Sequence, residues 1–163
     1  DLTMLSNSDY HYPHAISNKS SRSERRNMTL VFARERTGES IREALIDRRT
    51  AVWVNDLVIG RKKYLEPLFY QAVELSPPHY IDGRRRKYVK IHNRSDFRLE
   101  IEFRSGAVGA YFDDMILQPH SSQILIFDTQ SDTVEAVVRN FLIGPQEPLP
   151  VRFGLTLPEN GGR

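Results

Sequence analysis

The sequence predicts an α+β fold, in which a short N-terminal α/β piece is followed by a complete C-terminal β-sandwich. Three observations predict it. One amphipathic helical stretch, Thr37 to Arg49, lies between two apolar runs, Met28–Ala33 and Thr50–Val54. Farther on, Phe97, Leu99, Ile101 and Phe103 alternate with Arg98, Glu100, Glu102 and Arg104, the period of a strand with one wet face. After Tyr70, strand-like runs and turn signals recur at intervals of roughly 8–15 residues, the spacing of a sandwich rather than of βαβ repeats.

The helix is the clearest single element. Thr37 suits the N-cap and Glu39 places negative charge in the first turn. Ile41, Ala44, Leu45 and Arg48 fall at i, i+3, i+4 and i+7, and Arg48 and Arg49 sit where positive charge suits a helix end. Met28–Ala33 reads as a buried strand. With Thr50–Val54 and the helix it reads as a βαβ unit near the edge of an α/β domain. Asn55 to Gly60 reads as a turn or irregular link. Arg61 to Phe69 reads as a short helix interrupted or ended by Pro67.

Within the β-rich part, Asp82-Gly83 is a hairpin signal, and Pro77-Pro78, Asn93 to Asp96 and Gly144-Pro145 mark further breaks. Ile124 to Phe127 is a continuous apolar run, as expected of a central strand. Val151, Phe153, Leu155 and Leu157 alternate like the earlier strand. The expected boundaries are an α/β remnant at 1–55, a linker with a short helix at 56–70, and an accessory β-sandwich of Ig-like type at 71–163.

Composition narrows the function classes. The chain has 163 residues, 39% hydrophobic and 27% charged, ordinary values for a globular protein. No apolar run approaches the roughly eighteen residues needed to cross a bilayer, so no membrane span is expected. Absence of cysteine removes disulfides, thiolate nucleophiles and cysteine-bound zinc. A net charge of +2, from 23 basic and 21 acidic residues, is too even to argue for nucleic acid. The chain starts at Asp1 without an initiator Met or a leader, which predicts an internal cut in a longer protein and leaves a cytoplasmic or a periplasmic compartment open.

The chemically loaded segment is Ser6-Asn-Ser-Asp-Tyr-His-Tyr-Pro-His14. It follows the short apolar run Leu2–Leu5, read as a strand, so Asp9 and His11 fall just past a strand's C-terminal end, where α/β folds collect ligands. Two positions apart on extended backbone, they point the same way. A carboxylate and an imidazole together suit Zn, Mn or Fe. By spacing alone, a turn with Asp9 capping amides and His11 on the surface is the better reading, because Asp-x-His is a short pattern.

Ser8-Asp-Tyr-His-Tyr-Pro13 after an apolar run resembles the last metal-binding motif of the PHP (polymerase and histidinol phosphatase) superfamily of phosphoesterases. The likeness continues into Thr37 to Trp53, which resembles the family's closing helix and strand. Met28 to Arg36 is similar to a bacterial subgroup of PHP-type phosphodiesterases with an extra β-rich C-terminal domain. The resemblance implies that residues 1–55 are the last βα(β) unit of a distorted (β/α)7 barrel that binds divalent metals and hydrolyses phosphate esters. It implies that Asp9 and His11 are metal ligands whose companion ligands lie upstream, so that no complete catalytic set is expected here and no ion is held stably by the chain alone.

Other candidates carry a second reading each. His14 is a further ligand or substrate contact, or a solvated loop histidine. Arg22, Arg25 and Arg26 hold substrate phosphate, or are simply solvated. The basic run Gly83 to Lys90 contacts an anionic partner, or protects a strand edge. Trp53, Tyr64, Phe69 and Tyr70 line a carbohydrate platform, or, the better reading, pack between the two pieces of the chain. The expected partners are a phosphate ester and a second copy bound through the β-domain, with no nucleic acid. The alternative function is a non-enzymatic β-sandwich module recognising a glycan or a protein.

Overall fold

The computed structural model of the chain describes residues 3–7, 27–78, 80, 81, 83, 86–103, 114–127 and 133–155. Its contacts divide the chain into two units. The described residues of the first are 3–7, 27–65 and 141–147, and the second takes the remainder.

In the first unit, β1 (Met28–Val31), β2 (Thr50–Val54) and β3 (Leu57–Gly60) form an antiparallel meander in that order. Between β1 and β2 lies α1 (Gly38–Ile46). The βαβ expectation is overturned here. β1 pairs with β2 antiparallel, from Met28↔Trp53 to Val31↔Thr50, whereas a βαβ unit requires parallel strands.

The reversal is built locally. The Ser40 hydroxyl accepts hydrogen bonds from Arg34 N (3.0 Å) and Glu35 N (3.1 Å), while Ser40 N donates to the N-cap Thr37 hydroxyl. At the other end Arg49 N donates to Ala44 O and Arg48 N to Leu45 O, the bonding of a Schellman motif, with Arg48 at φ 60° where glycine is usual. Phe32 N then meets Arg49 O, so the strands close beneath the helix.

The helix also turns a different face inward from the one its apolar spacing suggests. Ser40 and Ala44 are buried, while Ile41 and Ile46 are exposed. Drawing Ser40 in to cap the 34–35 amides rotates Ile41 outward. Arg48 and Arg49 lie beyond the last turn rather than in it. β1 is half-buried throughout rather than buried, because among the described residues it pairs only with β2.

β3 stands where a turn or irregular link was expected. Asn55 (φ 54°) and Asp56 make the tight turn that returns the chain from β2. Gly60 closes the pair opposite Ala51; a Cβ there would lie 2.8 Å from the Ala51 Cβ. α2 (Lys62–Ala72) runs unbroken through Pro67, contrary to the expected interruption. Leu65 and Phe69 are fully buried and Ala72 nearly so, and that packing outweighs the lost amide hydrogen bond.

The second unit is mostly β, with two sheets. In one, β6 (Lys87–Asn93) pairs on one side with β4 (Val73–Leu75) and β5 (Tyr80–Ile81), and on the other with β9 (Ser122–Phe127). The other contains β7 (Leu99–Phe103), β8 (Asp114–Leu117), β10 (Thr133–Gly144) and β11 (Glu147–Gly154), with β7 between β8 and β10 and β11 paired to β10. Phe103 of β7 meets Phe127 of β9 edge-on at 5.8 Å and lies 6.1 Å from Phe153 of β11, so the inner faces share one aromatic core. The alternations at 97–103 and 151–155 hold: Phe97, Leu99, Ile101, Phe103, Val151, Phe153 and Leu155 are all buried.

Two strand readings reverse. β9 is not central. Among the described residues it pairs with β6 alone, and Ile124 is 66% exposed while Leu125 and Phe127 are buried. Conversely Lys87 and Lys90 of the basic run lie on β6, which is central in its sheet, so those two charges do not guard an edge. β10 passes from the second unit into the first: residues 136–138 pair antiparallel with β7, and Phe141 and Leu142 pair parallel with Val58 and Ile59 of β3. Among the described residues no helix is long and apolar enough to cross a membrane.

Candidate functional site

Asp9 and His11, with His14, Arg22, Arg25 and Arg26, lie outside the described residues. The structure does place the segment leading to them. Thr3 Oγ1 donates to Leu45 O near the end of α1 (3.0 Å). Ser6 N donates to Thr29 Oγ1 (2.8 Å), which donates on to Ser6 O (3.1 Å). Residues 3–7 form no strand; they are held to β1 by one side-chain hydroxyl that satisfies both backbone groups of Ser6. The expected strand at Leu2–Leu5 is therefore absent over its described part, and Leu5 is 62% exposed.

Met4 lines a groove of about 450 Å³ together with Ile59, Gly60, Arg61, Leu142 and Gly144. β3 and β10 are parallel here, and the groove sits at their C-terminal ends, the position where parallel strands open a crevice. Its lining is chiefly apolar, with the Arg61 and Gln146 side chains as polar groups. Arg61 also starts α2, its carbonyl accepting from Tyr64 N and Leu65 N.

The aromatic platform does not assemble from the four residues considered for it. Trp53 is buried, Tyr64 stacks on Phe32 at 5.1 Å, and Phe69 is fully buried against Phe153. Tyr70 is exposed, but its hydroxyl accepts from Arg152 N (2.9 Å) and donates to Arg152 O (3.1 Å), so it ties α2 to β11. In the basic run, Lys87 is buried and its amine donates to Leu155 O (3.4 Å), while Lys90 is exposed. Arg84 and Arg85 lie outside the described residues.

Several polar clusters escaped the sequence reading. Asn93 is fully buried: its side-chain nitrogen donates to Phe97 O, Leu117 O and Gln118 O, and its oxygen accepts from Ser95 N and Ser95 Oγ. His92 Nδ1 lies 2.9 Å from Ser122 Oγ, and His120 Nε2 2.7 Å from Asp96 Oδ1. On the outer face of the second sheet, Arg139 Nε donates to Glu102 (2.7 Å) and its guanidinium lies 3.4 Å from Asp114, while Arg98 pairs with Glu100. The hydrogen bond that Arg139 donates to Glu102, then the charges of Asp114 and Glu102, raise the Arg139 pKa above its usual value. These groups border a groove of about 440 Å³ lined by Glu100, Asp114, Ile116, Gln123 and Arg139. Its only sequence signal was the charged half of the Phe97–Arg104 alternation.

A family model described as an Ig-like domain matches residues 73–154, half of the chain, from the first residue of β4 to the last of β11. The chain belongs to this Ig-like domain family. The Ig-like domain thus contains the Asn93 cluster, both histidine pairs and the Arg139 network, and Asp9 and His11 lie before it. No curated protein matches the chain. Among solved structures, the chain is similar to a two-domain protein from Bacteroides vulgatus ATCC 8482 that contains a predicted PHP-like metal-dependent phosphoesterase. The two are 33% identical with a TM-score of 0.72, over 82% of this chain and 40% of that one. The chain spans about two fifths of that protein's length.

Proposed function

We propose that the chain is part of a PHP-type metal-dependent phosphoesterase, contributing the last metal-binding motif and an accessory Ig-like domain. One observation carries the reading. The likeness to the two-domain protein takes in 82% of the chain, whereas the Ig-like match takes in half and only nine residues follow it. Most of the remaining likeness therefore falls before residue 73, in the part that holds the Asp9–His11 motif and the helix and strand resembling the end of a PHP barrel.

The donor set fits a divalent ion, since a carboxylate can bridge two ions while an imidazole binds one. Two donors do not close a site for a divalent ion, so Asp9 and His11 need further donors to complete it. When bound, Zn, Mn or Fe activates water and neutralises phosphoryl oxygens. The chain's own part is to hold the two donors, and the clamp of Ser6 on Thr29 anchors the backbone that leads to them. His14, Arg22, Arg25 and Arg26 are the groups we assign to substrate phosphate.

The test is hydrolysis of an aryl phosphodiester by the complete gene product with added Mn. Asp9→Ala and His11→Ala should each lower turnover by more than the roughly 10–100-fold lost when only a ligand's supporting hydrogen-bond partner is removed. Unchanged turnover in either variant removes that residue from the metal site.

A further inference from the structure

We infer that Thr29 is a positioning residue for the metal donors: through its hold on Ser6 it sets the metal affinity of the Asp9–His11 pair. The inference rests on the phosphoesterase reading and adds to it a residue outside the motif, on β1.

Residues 3–7 lead toward the motif without forming a strand. A strand would be held by a ladder of backbone bonds, and no single side chain would decide its position. Among the described residues, 3–7 are hydrogen-bonded at two points instead. Thr3 Oγ1 donates to Leu45 O (3.0 Å). Thr29 Oγ1 accepts from Ser6 N (2.8 Å) and donates to Ser6 O (3.1 Å). The second hold is the firmer, since one hydroxyl satisfies both backbone groups of one residue. Leu5, between the two holds, is exposed, so its burial does not substitute for them. Thr29 is itself fixed, because its backbone lies opposite Val52 in the β1–β2 pairing. The strand does not need the hydroxyl: valine has the same branched shape and suits a strand as well as threonine does. What the hydroxyl supplies is the bond pair to Ser6.

Chain length gives the consequence its size. Asp9 follows Ser6 by three residues and Thr3 by six. Three residues reach at most about 11 Å, and six about 22 Å. The Ser6 hold therefore confines the first donor to a smaller space than the Thr3 hold does alone. For a flexible tether the span grows as the square root of its length, so doubling the length enlarges that space about threefold. At full extension the enlargement is about eightfold. The effective concentration of the donor at the metal falls by the same factor.

The test uses the complete gene product, with free Mn read from its electron paramagnetic resonance signal and aryl phosphodiester turnover measured in parallel. Thr29→Val should weaken Mn binding about three- to eightfold. Its turnover at saturating Mn should stay within about twofold of the unsubstituted protein, because the donors themselves are intact. Thr29→Ser, which keeps the hydroxyl, should restore the affinity. Thr3→Val should change it by less than about twofold, since Ser6 stays clamped between Thr3 and the donors. Thermal melts should show that all three variants fold. Unchanged Mn affinity in Thr29→Val overturns the inference, and so does a Thr29→Ser variant as weak as Thr29→Val. Asp9→Ala and His11→Ala separate the two readings. If both lose Mn while Thr29→Val does not, the clamp alone is wrong; if both keep it, the metal assignment is wrong and the inference falls with it.

Discussion

Arg48 occupies a position that its side chain does not favour. Its φ of 60° completes the Schellman end of α1, and an L-residue there costs roughly 1–2 kcal/mol more than in the right-handed region. Arg48→Gly should therefore raise stability by about 0.5–1 kcal/mol, the relief of strain offset in part by the entropy glycine loses; urea titration checks it. Gly60 is the opposite case. Ala51 Cβ and Leu65 Cδ2 stand 2.8 and 3.0 Å from where a side chain would begin, so Gly60→Ala should cost about 1–3 kcal/mol by overpacking. Asn93 is the most connected polar side chain described. Asn93→Ala should cost about 2–4 kcal/mol, because three carbonyls and a serine are left with fewer partners. Asn93→Asp should cost at least as much, since a carboxylate would face those carbonyls; thermal melts of both variants decide. In the sequence Asn93 looked like turn punctuation. Nothing local shows that the same amide also reaches Leu117 and Gln118, which requires the chain to return from more than twenty residues away.

At the scale of elements, the alternating strands were legible because a period of two fixes which residues share a face. The alternation at 97–103 and 151–155 accordingly matches observed burial. The N-cap of α1 was legible for a similar reason, since Thr37 acts on its own neighbours. Whether a strand is central or at an edge was not legible. Ile124–Phe127 reads as central because its run is continuous, yet it has one described neighbour; the Arg- and Lys-rich run reads as edge protection, yet its Lys87 and Lys90 lie on β6, which is paired on both sides. Both errors have one cause: side-chain pattern reports burial, while neighbour number depends on which distant strands arrive. α2 offers a test of how far packing overrides local preference. Pro67 is exposed inside the helix, so Pro67→Ala should restore an amide hydrogen bond and stabilise by about 1–3 kcal/mol, read from the urea midpoint.

At the scale of the whole molecule, the proposal assigns this chain two metal donors and leaves the remainder of the ligand set elsewhere. The 163-residue chain with added Mn should therefore hydrolyse an aryl phosphodiester no faster than buffer with Mn, while the complete gene product should turn it over. Activity in the chain alone, abolished by Asp9→Ala, would show that its own residues complete the site. What the sequence by itself determined is local: the Asp9-x-His11 motif, the capped helix, the alternating strands, and the shift from an α-containing to a β-rich half. The tertiary structure decided the rest. It paired β1 with β2 antiparallel, made a strand of 57–60, held residues 3–7 by a threonine hydroxyl instead of a ladder, and gave β9 one neighbour, β6, among the described residues. The division follows from range. Capping and side-chain alternation act over a few residues and are written in adjacent letters, whereas strand direction, neighbour number and buried hydrogen-bond networks are set by contacts between residues far apart in the chain.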